Sequence, residues 1–241
     1  MEAMIFAAGL GTRLRPLTND RPKALVEVCG QTLLQHCITM LENNGAKRIV
    51  VNVHHFADKM KDFIGSLKCK ADISISDESN LLLDTGGGLK KAIGLFCGSE
   101  PIVIANVDIL TNINLRQMMQ QHIDSKADAT LAIRQRQSSR VLLFDSQMQL
   151  GGWKNIKTGE SIIVSNETVL KQFAFSGIHI MSPTLFDKFP ADEVFPIIPH
   201  YLKLAKNHKI VGYQHDNDYW FDAGSVEKIA EAEHFLSTSK S

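Results

Sequence analysis

Residues 5–25, IFAAGLGTRLRPLTNDRPKAL, decide how the rest of the chain is interpreted. The apolar start of this stretch predicts a buried strand, and the loop behind it begins with Gly9 and Gly11. The loop also carries four cations and two prolines, which are Arg13, Arg15, Arg21, Lys23, Pro16 and Pro22. Glycine lets backbone N–H groups approach an anion, and cations neutralise its charge. The stretch therefore predicts a phosphate-binding loop at the end of a strand.

Two familiar phosphate loops do not fit this stretch. A dinucleotide-binding fingerprint needs a third glycine where Leu14 stands, and a Walker loop needs a lysine where Thr12 follows Gly11. Two prolines also discourage a helix directly behind the loop. An ordinary basic surface loop remains the alternative, because cations in loops are usually solvated.

Composition excludes several classes of protein. The chain has 241 residues, 44% of them hydrophobic and 22% charged, which is ordinary for a single α/β domain. Lys plus Arg and Asp plus Glu each number 26, so no net charge favours nucleic acid as a partner. No apolar run is long enough to span a membrane, and the N-terminus lacks a signal-peptide pattern. Four scattered cysteines without metal-binding spacing indicate a reducing cytoplasm.

Strands and helices alternate in the first half of the chain. Apolar spacing predicts helices over residues 31–44, 56–67 and 86–95, and strands over 48–53, 73–76 and 102–105. Such alternation predicts a mostly parallel sheet with right-handed crossovers. Ligands of these sheets bind beyond the carboxyl ends of the strands, where the opening loop and Asp108 are expected.

The second half has a different pattern. Short antiparallel strands are expected over residues 129–133, 141–144 and 147–150, before a polar stretch at 151–170. A long strand (173–181), a helix (194–206), a strand (210–213) and a closing helix (225–236) follow, and Ser225 is the expected N-cap of the last helix. Together the halves predict one α/β domain over 1–241. Its fold class is a Rossmann-like three-layer sandwich with a mostly parallel mixed sheet and a small antiparallel extension.

Two carboxylates and a second glycine-rich segment are candidate site features. Taken alone, Asp108 can cap a turn and Asp222 can cap the closing helix. Together, facing a loop of cations, they could hold Mg²⁺ whose coordination shell phosphate oxygens complete. The segment DTGGGLKKA at 84–92 predicts glycines whose backbone a ligand can approach closely, with a helix N-terminus behind them that favours a negative or polar partner, or else a flexible turn.

Residues 7–34, AAGLGTRLRPLTNDRPKALVEVCGQTLL, resemble the opening signature of the sugar-1-phosphate nucleotidyltransferases. Further matching pieces are LLDTGGGLKKA, FSGI and WFDAGSVEKIAEAE. The resemblance implies Mg²⁺-dependent transfer of a nucleotidyl group from a nucleoside triphosphate to a sugar 1-phosphate, with release of pyrophosphate. It also implies an NTP-binding half at 1–125 and a sugar-binding half at 126–241.

Within this family the chain resembles in particular the short N-acetylmuramate α-1-phosphate uridylyltransferases. That similarity favours UTP as substrate and UDP-N-acetylmuramate as product, in cell-wall recycling. Mannose-1-phosphate guanylyltransferases and glucose-1-phosphate thymidylyltransferases share the first motif, so GTP and dTTP stay open. A cytidylyltransferase acting on an alcohol phosphate shares it too.

The resemblance also implies roles for individual residues. The catalytic residues are expected to be Arg13, Lys23, Asp108 and Asp222, and the two aspartates are the expected metal ligands. The expected nucleotide-binding residues are Ala8, Gly9, Gly11, Thr12, Glu78, Gly86 and Gly87. The expected sugar-binding residues are Asn106, Ser176 and Gly177.

The chain departs from the family pattern at two places. Val107 replaces the usual glycine before Asp108, and the Glu-Lys-Pro motif whose lysine binds the sugar phosphate is missing. Lys171 lies near that position, and Lys154 and Lys157 are alternatives. A non-catalytic sensor of nucleotide sugars is the rival from another class. Such a sensor would not need the metal and phosphate ligands kept here.

Overall fold

A mixed ten-stranded sheet forms the centre of the molecule in the computed structural model, which describes residues 1–238. The strands are β1 (Glu2–Phe6), β2 (Glu27–Val28), β3 (Gln31–Thr32), β4 (Arg48–Val53), β5 (Asp72–Asp77), β6 (Ile102–Asn106), β7 (Ile109–Thr111), β8 (Ala129–Arg134), β9 (Arg140–Phe144), β10 (Leu150–Asn155), β11 (Ser161–Ile163), β12 (Lys171–Met181), β13 (Ile210–Gln214) and β14 (Trp220–Asp222). The helices are α1 (Leu33–Asn43), α2 (Ala57–Ser66), α3 (Asp84–Ala92), α4 (Leu115–Asp124), α5 (Ile197–Leu204) and α6 (Val226–Thr238).

The sheet order is β11-β10-β9-β12-β6-β1-β4-β5, and β8 joins β12 to β13. β1 runs parallel to β4 and β6, β4 runs parallel to β5, and β8 runs parallel to β13. β12 is antiparallel to β6, β8 and β9, and β9–β10–β11 form an antiparallel extension. The predicted mostly parallel core with an antiparallel extension is therefore confirmed.

Helices cover both faces of the sheet. On β1, Ala3 and Ile5 face a buried cluster that also contains apolar side chains of α1, α2, α4 and α6. Met4 points to the opposite face and joins a second cluster with Leu89 of α3 and Tyr201 of α5. This alternation of buried residues along β1 produces the predicted three-layer sandwich.

Most predicted elements are present, with shifted ends. The expected strand at 147–150 is a turn over most of its length, because Asp145 Oδ1 accepts the amides of Gln147 and Gln149, and β10 begins only at Leu150. α5 begins after Pro196, because a proline disfavours helical backbone at the residue before it, which here is Phe195. α6 begins at Val226, and the Lys228 amide donates to Ser225 Oγ at 3.5 Å, in agreement with the expected N-cap.

Six helices and strands were not predicted, namely α4 and the strands β2, β3, β7, β11 and β14, which have only two or three residues each. α4 has few buried apolar residues and a polar sequence, LRQMMQQHID. β7 and β14 have three residues each, too few for a period to be recognised. The division into halves at residue 125 stays a prediction. No helix within residues 1–238 is long and apolar enough to cross a bilayer.

Candidate active site

The opening loop folds back on itself after β1. Gly11 has a left-handed φ of 63°, and its carbonyl accepts the Leu14 amide at 3.0 Å and the Thr18 hydroxyl at 2.9 Å. A Cβ atom on Gly11 would lie 3.0 Å from Lys23 Cβ, so only glycine lets the second part of the loop pass this closely. The turn Thr12–Leu14 leaves Thr12 and Arg13 exposed at the rim.

Lys23 forms an ion pair with Asp108, which follows β6. Their side chains are only 12% and 16% exposed, so the pair lies largely out of bulk water. The loop after β1 and the loop after β6 meet because these strands are parallel neighbours in the sheet. This contact confirms the prediction that both loops lie at one edge of the sheet.

The short β7–β14 pair brings Asp222 to the same place. Asp222 lies opposite Ile109, the residue after Asp108, and the Ala223 amide donates to the Asp108 carbonyl at 2.8 Å. Two carboxylates that are far apart in the sequence thus become neighbours through backbone pairing.

Cations surround Asp222. Lys228 Nζ lies 2.8 Å from Asp222 Oδ2. Burial raises the pKa of Asp222, but the charges of Lys228, Lys23 and Arg13 outweigh it and hold that pKa below its usual value. Arg13 Nη2 and Asp222 Oδ1 both lie close to Gly224, at 3.1 Å and 2.6 Å from where a Cβ atom would stand.

The donor set suits a hard divalent cation bound together with phosphates. Asp222 Oδ1 is buried and has no hydrogen-bond partner among residues 1–238, and the backbone at Asp222 is paired with the backbone next to Asp108. Mg²⁺ usually takes one or two carboxylates and completes its shell with phosphate oxygens and water. Within residues 1–238, no group of three or more His, Cys, Asp or Glu could hold a metal by itself. A metal here would therefore depend on oxygens from the ligand.

A cleft of about 520 Å³, which we call the first cleft, opens beside the ion pair. Its polar lining residues include Lys23, Asn52, Glu78, Thr85, Asn106 and Asp108, and Ala8 and Gly9 form part of its wall. Asn52 Oδ1 accepts the amides of Ala7 and Ala8 at 2.6 Å and 3.2 Å, and its Nδ2 donates to Glu78 Oε1 at 2.8 Å. Burial raises the pKa of Glu78, although Asn52 and the Leu83 amide oppose this. The network fixes the wall of the cleft.

Gly86 and Gly87, which were expected to contact the nucleotide, do not line the first cleft. Gly86 and Gly87 lie inside α3, fully buried, and both amides donate to the Phe195 carbonyl, at 2.8 Å and 3.1 Å. A Cβ atom on Gly87 would lie 2.1 Å from the Glu193 carbonyl oxygen. These glycines therefore let α3 pack against the segment 193–195. Asp84 and Thr85, rather than Gly86 and Gly87, line the first cleft.

The side chain of Ser176 also lies elsewhere than expected. Ser176 is fully buried, and its hydroxyl lies 2.7 Å from His215 Nε2, while its carbonyl accepts the Trp220 indole N–H at 2.9 Å. The hydroxyl expected to contact a sugar is thus occupied in the interior. Its neighbour Gly177 packs against Asn106, and Asn106 does line the first cleft.

A second cleft of about 540 Å³ lies on the other side of Thr85, which lines both. Its walls are mainly apolar side chains of β9, β10, β12 and α5, such as Trp153, Phe175 and Leu202. Arg136 and Arg140 are its cations. Lys154, Lys157 and Lys171, the lysines considered from the sequence, line neither cleft.

Sequence reasoning missed four residues of this region, namely Asn52, Thr85, Arg136 and Lys228. Asn52 carried a usable signal, since it is a polar residue inside the apolar strand β4. Lys228 lies within the matching motif that begins at Trp220, but its contact with Asp222 depends on where α6 begins. Thr85 lies within the DTGGGLKKA segment, where the glycines drew the attention, and nothing in the local sequence marks Arg136.

Comparison with known proteins agrees with this geometry. Residues 2–141 match the Nucleotidyl transferase family. The chain is 33% identical to an N-acetylmuramate alpha-1-phosphate uridylyltransferase of Caulobacter vibrioides, over 98% of this chain and 96% of the relative. It is 27% identical to the enzyme of that name in Neisseria meningitidis, over 97% of both chains. The catalytic beta subunit of mannose-1-phosphate guanylyltransferase from Drosophila melanogaster is 29% identical over 80% of this chain and 53% of its own.

Solved structures share the fold. HddC from Yersinia pseudotuberculosis, in complex with GMP-PN, superposes with a TM-score of 0.79 at 21% identity, covering 98% of this chain and 99% of that one. A UDP-glucose pyrophosphorylase in complex with UDP-glucose gives 0.78 at 19% identity, covering 99% and 98%. The family match and the full-length relatives show that the chain is a sugar-1-phosphate nucleotidyltransferase and belongs to the nucleotidyl transferase family.

Proposed function

We propose that this enzyme transfers a uridylyl group from UTP to N-acetylmuramate α-1-phosphate in a Mg²⁺-dependent reaction, giving UDP-N-acetylmuramate and pyrophosphate. The observation that carries the proposal for the chemistry is the placement of Asp108 and Asp222 side by side among Lys23, Lys228 and Arg13. The choice of substrates rests on the two full-length relatives that bear this activity in their names. Reduced cysteines and a recycled cell-wall sugar both suit the cytoplasm.

In the proposed reaction, a phosphate oxygen of the sugar 1-phosphate attacks the α-phosphorus of UTP, and pyrophosphate leaves. No covalent intermediate on the enzyme is needed, so positioning and neutralisation of charge supply the rate enhancement. Arg13, with the amides of Gly11 and Thr12, holds the β- and γ-phosphates at the rim of the opening loop. Lys23 exchanges part of its ion pair with Asp108 for phosphate oxygens near the attacked phosphorus.

Asp108 and Asp222 would hold the magnesium ion. When bound, it offsets negative charge that develops on the phosphate oxygens. Lys228 pairs with Asp222, orients it and helps to hold its pKa below the usual value, and Lys23 pairs with Asp108 and orients that carboxylate.

The first cleft is the proposed site of the nucleoside. Ala8 and Gly9 present backbone at its wall, and Asn52 and Glu78 hold that wall rigid. Asn106 and Gly177, which pack together at the end of β6, are the proposed contacts on the sugar side. Gly86 and Ser176 support these contacts from the interior.

Guanylyl transfer to mannose 1-phosphate is the second candidate. Its support is the similarity to the Drosophila melanogaster subunit, which the chain matches over only half of that protein's length. The fold alone is compatible with either base.

Pyrophosphate release tests the proposal. The enzyme is assayed with Mg²⁺ and each pairing of UTP, GTP or dTTP with the 1-phosphates of N-acetylmuramate, mannose and glucose. The highest kcat/KM is expected for UTP with N-acetylmuramate 1-phosphate. A higher value for another pair would overturn the substrate proposal. Absence of pyrophosphate with every pair, together with tight binding of a nucleotide sugar, would indicate a sensor instead.

A further inference from the structure

The second cleft has an arginine at the end nearest the two aspartates. Arg136 follows β8 and lines the cleft together with Phe175 and Thr85. Its guanidinium carbon lies 4.3 Å from the centroid of the Trp220 ring. Trp220 begins β14, and Asp222 ends it. The guanidinium is therefore fixed beside the strand that carries a proposed metal ligand.

Only part of the guanidinium is used by the protein. Its Nη2 donates to the Phe175 carbonyl at 3.0 Å, and its Nη1 donates to the Gln137 carbonyl at 3.3 Å. The remaining N–H groups have no hydrogen-bond partner among residues 1–238. Arginine has five such donors in a planar fork, a shape that matches two oxygens of a phosphate.

Charge supports the same placement. Burial lowers the pKa of Arg136, the negative charge of Asp222 opposes that effect, and the positive charge of Arg134 adds to it. Among the ion pairs of the described residues, none joins Arg136 to Asp222. A dianion arriving between them and the opening loop would find an unpaired cation there.

The other cations of the region are less suitable. Arg140 begins β9 opposite Asn155, and it makes no stacking contact with Trp220 in the described part of the chain. Lys171 is exposed and lies on β12 outside both clefts. Lys23 and Lys228 are already paired with aspartates.

We propose that Arg136, held against Trp220, binds the phosphate group of the incoming sugar 1-phosphate and directs it towards the nucleotide in the first cleft. The second cleft, with its apolar wall, then receives the sugar ring and its substituents. This inference rests on the proposed nucleotidyl transfer and adds a residue that holds the attacking group.

The test compares three variants with the wild-type enzyme in the pyrophosphate assay. We expect Arg136→Gln to raise KM for the sugar 1-phosphate roughly 10- to 100-fold, since a hydrogen bond to a charged group contributes about 1.5–3 kcal/mol. KM for the nucleoside triphosphate should stay within about twofold. Arg136→Lys, which keeps the charge and loses the fork, should recover part of the effect. Lys171→Gln, the matched control on β12, should leave both KM values unchanged.

The two proposals fail in different ways. If the wild-type enzyme releases no pyrophosphate with any pair, the proposed function and the role of Arg136 fall together. If the wild type turns over and Arg136→Gln keeps its KM for the sugar 1-phosphate, only the role of Arg136 is refuted. A loss in Lys171→Gln instead would assign the phosphate to that lysine.

A second arm separates phosphate from carboxylate as the bound anion, because N-acetylmuramate 1-phosphate carries both. The same variants are titrated with N-acetylmuramate 1-phosphate and with glucose 1-phosphate, which lacks the carboxylate, and binding is followed by calorimetry. Equal fold-losses for both sugars in Arg136→Gln are expected. A loss confined to the acidic sugar would overturn the assignment to the phosphate.

Discussion

The two clefts differ in how their charges are held. In the first cleft and beside it, Asp108 and Asp222 are each paired with a lysine, and Asn52 ties the loop after β1 to Glu78. In the second cleft, the walls are mainly apolar, and the cation nearest the centre, Arg136, stacks on an aromatic ring without an acidic partner in the described chain. The first region can therefore tolerate a high charge density, whereas the second offers an apolar wall with two arginines. Such a division suits a reaction between a common triphosphate and a particular sugar.

The largest effect should come from breaking the charge balance of the first region. Asp108→Asn keeps the size of the side chain but removes its charge, so Lys23 loses its partner and the proposed metal loses a ligand. We expect kcat to fall at least a hundredfold, about 3 kcal/mol of barrier, as measured by pyrophosphate release.

The matched control for that variant is Asp124→Asn, on an exposed side chain at the end of α4 that accepts a hydrogen bond from Gln120. Its turnover should be unchanged, and circular dichroism should show that both variants are folded. Full activity in Asp108→Asn would contradict the assignment of this carboxylate.

α3, whose Thr85 lines both clefts, packs against the segment 193–195, and a substitution at Gly87 tests this packing. In Gly87→Ala the new Cβ would lie 2.1 Å from the Glu193 carbonyl oxygen, so α3 and the segment 193–195 must move apart. We expect a loss of about 2–3 kcal/mol in the free energy of unfolding, measured by urea denaturation. Gly94→Ala, where nothing lies within 4 Å of the added carbon, should be neutral or slightly stabilising. Equal stability of the two variants would show that the packing at Gly87 is not as close as described.

β12 joins the two regions, and protonation of its His179 at acid pH should lower the free energy of unfolding. This side chain is fully buried among aromatic rings, and burial lowers its pKa to about 3. The unfolded chain, with a pKa near 6.5, binds the proton more readily, so the stability contributed by neutral His179 is lost as the pH falls below about 6.5.

Between pH 7 and pH 5 we expect His179 to account for a loss on the order of 2 kcal/mol in the free energy of unfolding. His179→Phe should flatten the pH dependence over this range, whereas His234→Gln, on an exposed residue of α6, should not. A pH profile of His179→Phe identical to that of the wild type would refute the buried neutral state.

The smallest effect concerns the scaffold under the second region. Ser176→Ala removes the hydroxyl bonded to His215 and should cost about 1 kcal/mol of stability. KM for the sugar 1-phosphate should not change, because the hydroxyl is buried. A large rise in that KM would restore the direct sugar contact that the sequence suggested.

How much of the site could be predicted depends on how far apart in the sequence its residues lie. The opening loop was readable because Gly9, Gly11 and the cations lie within one stretch, and Asp108 was placed because parallel strands end at one edge. The contact between Asp222 and the Asp108 region depends on two three-residue strands that carry no periodic signal. Gly86 and Gly87 were misread because a run of glycines looks alike whether a ligand or the protein's own backbone approaches it. Arg136 became recognisable only when the fold placed it over Trp220.

One measurement tests most directly which substrate binds in which cleft. It is a crystal structure of the enzyme with a non-hydrolysable UTP analogue, the sugar 1-phosphate and Mn²⁺ in place of Mg²⁺, with anomalous data collected for manganese. We predict the uracil in the first cleft, the sugar in the second with its phosphate at Arg136, and a manganese peak at Asp108 and Asp222. A sugar ring that occupies the first cleft in place of the uracil, or manganese bound away from both aspartates, would contradict it.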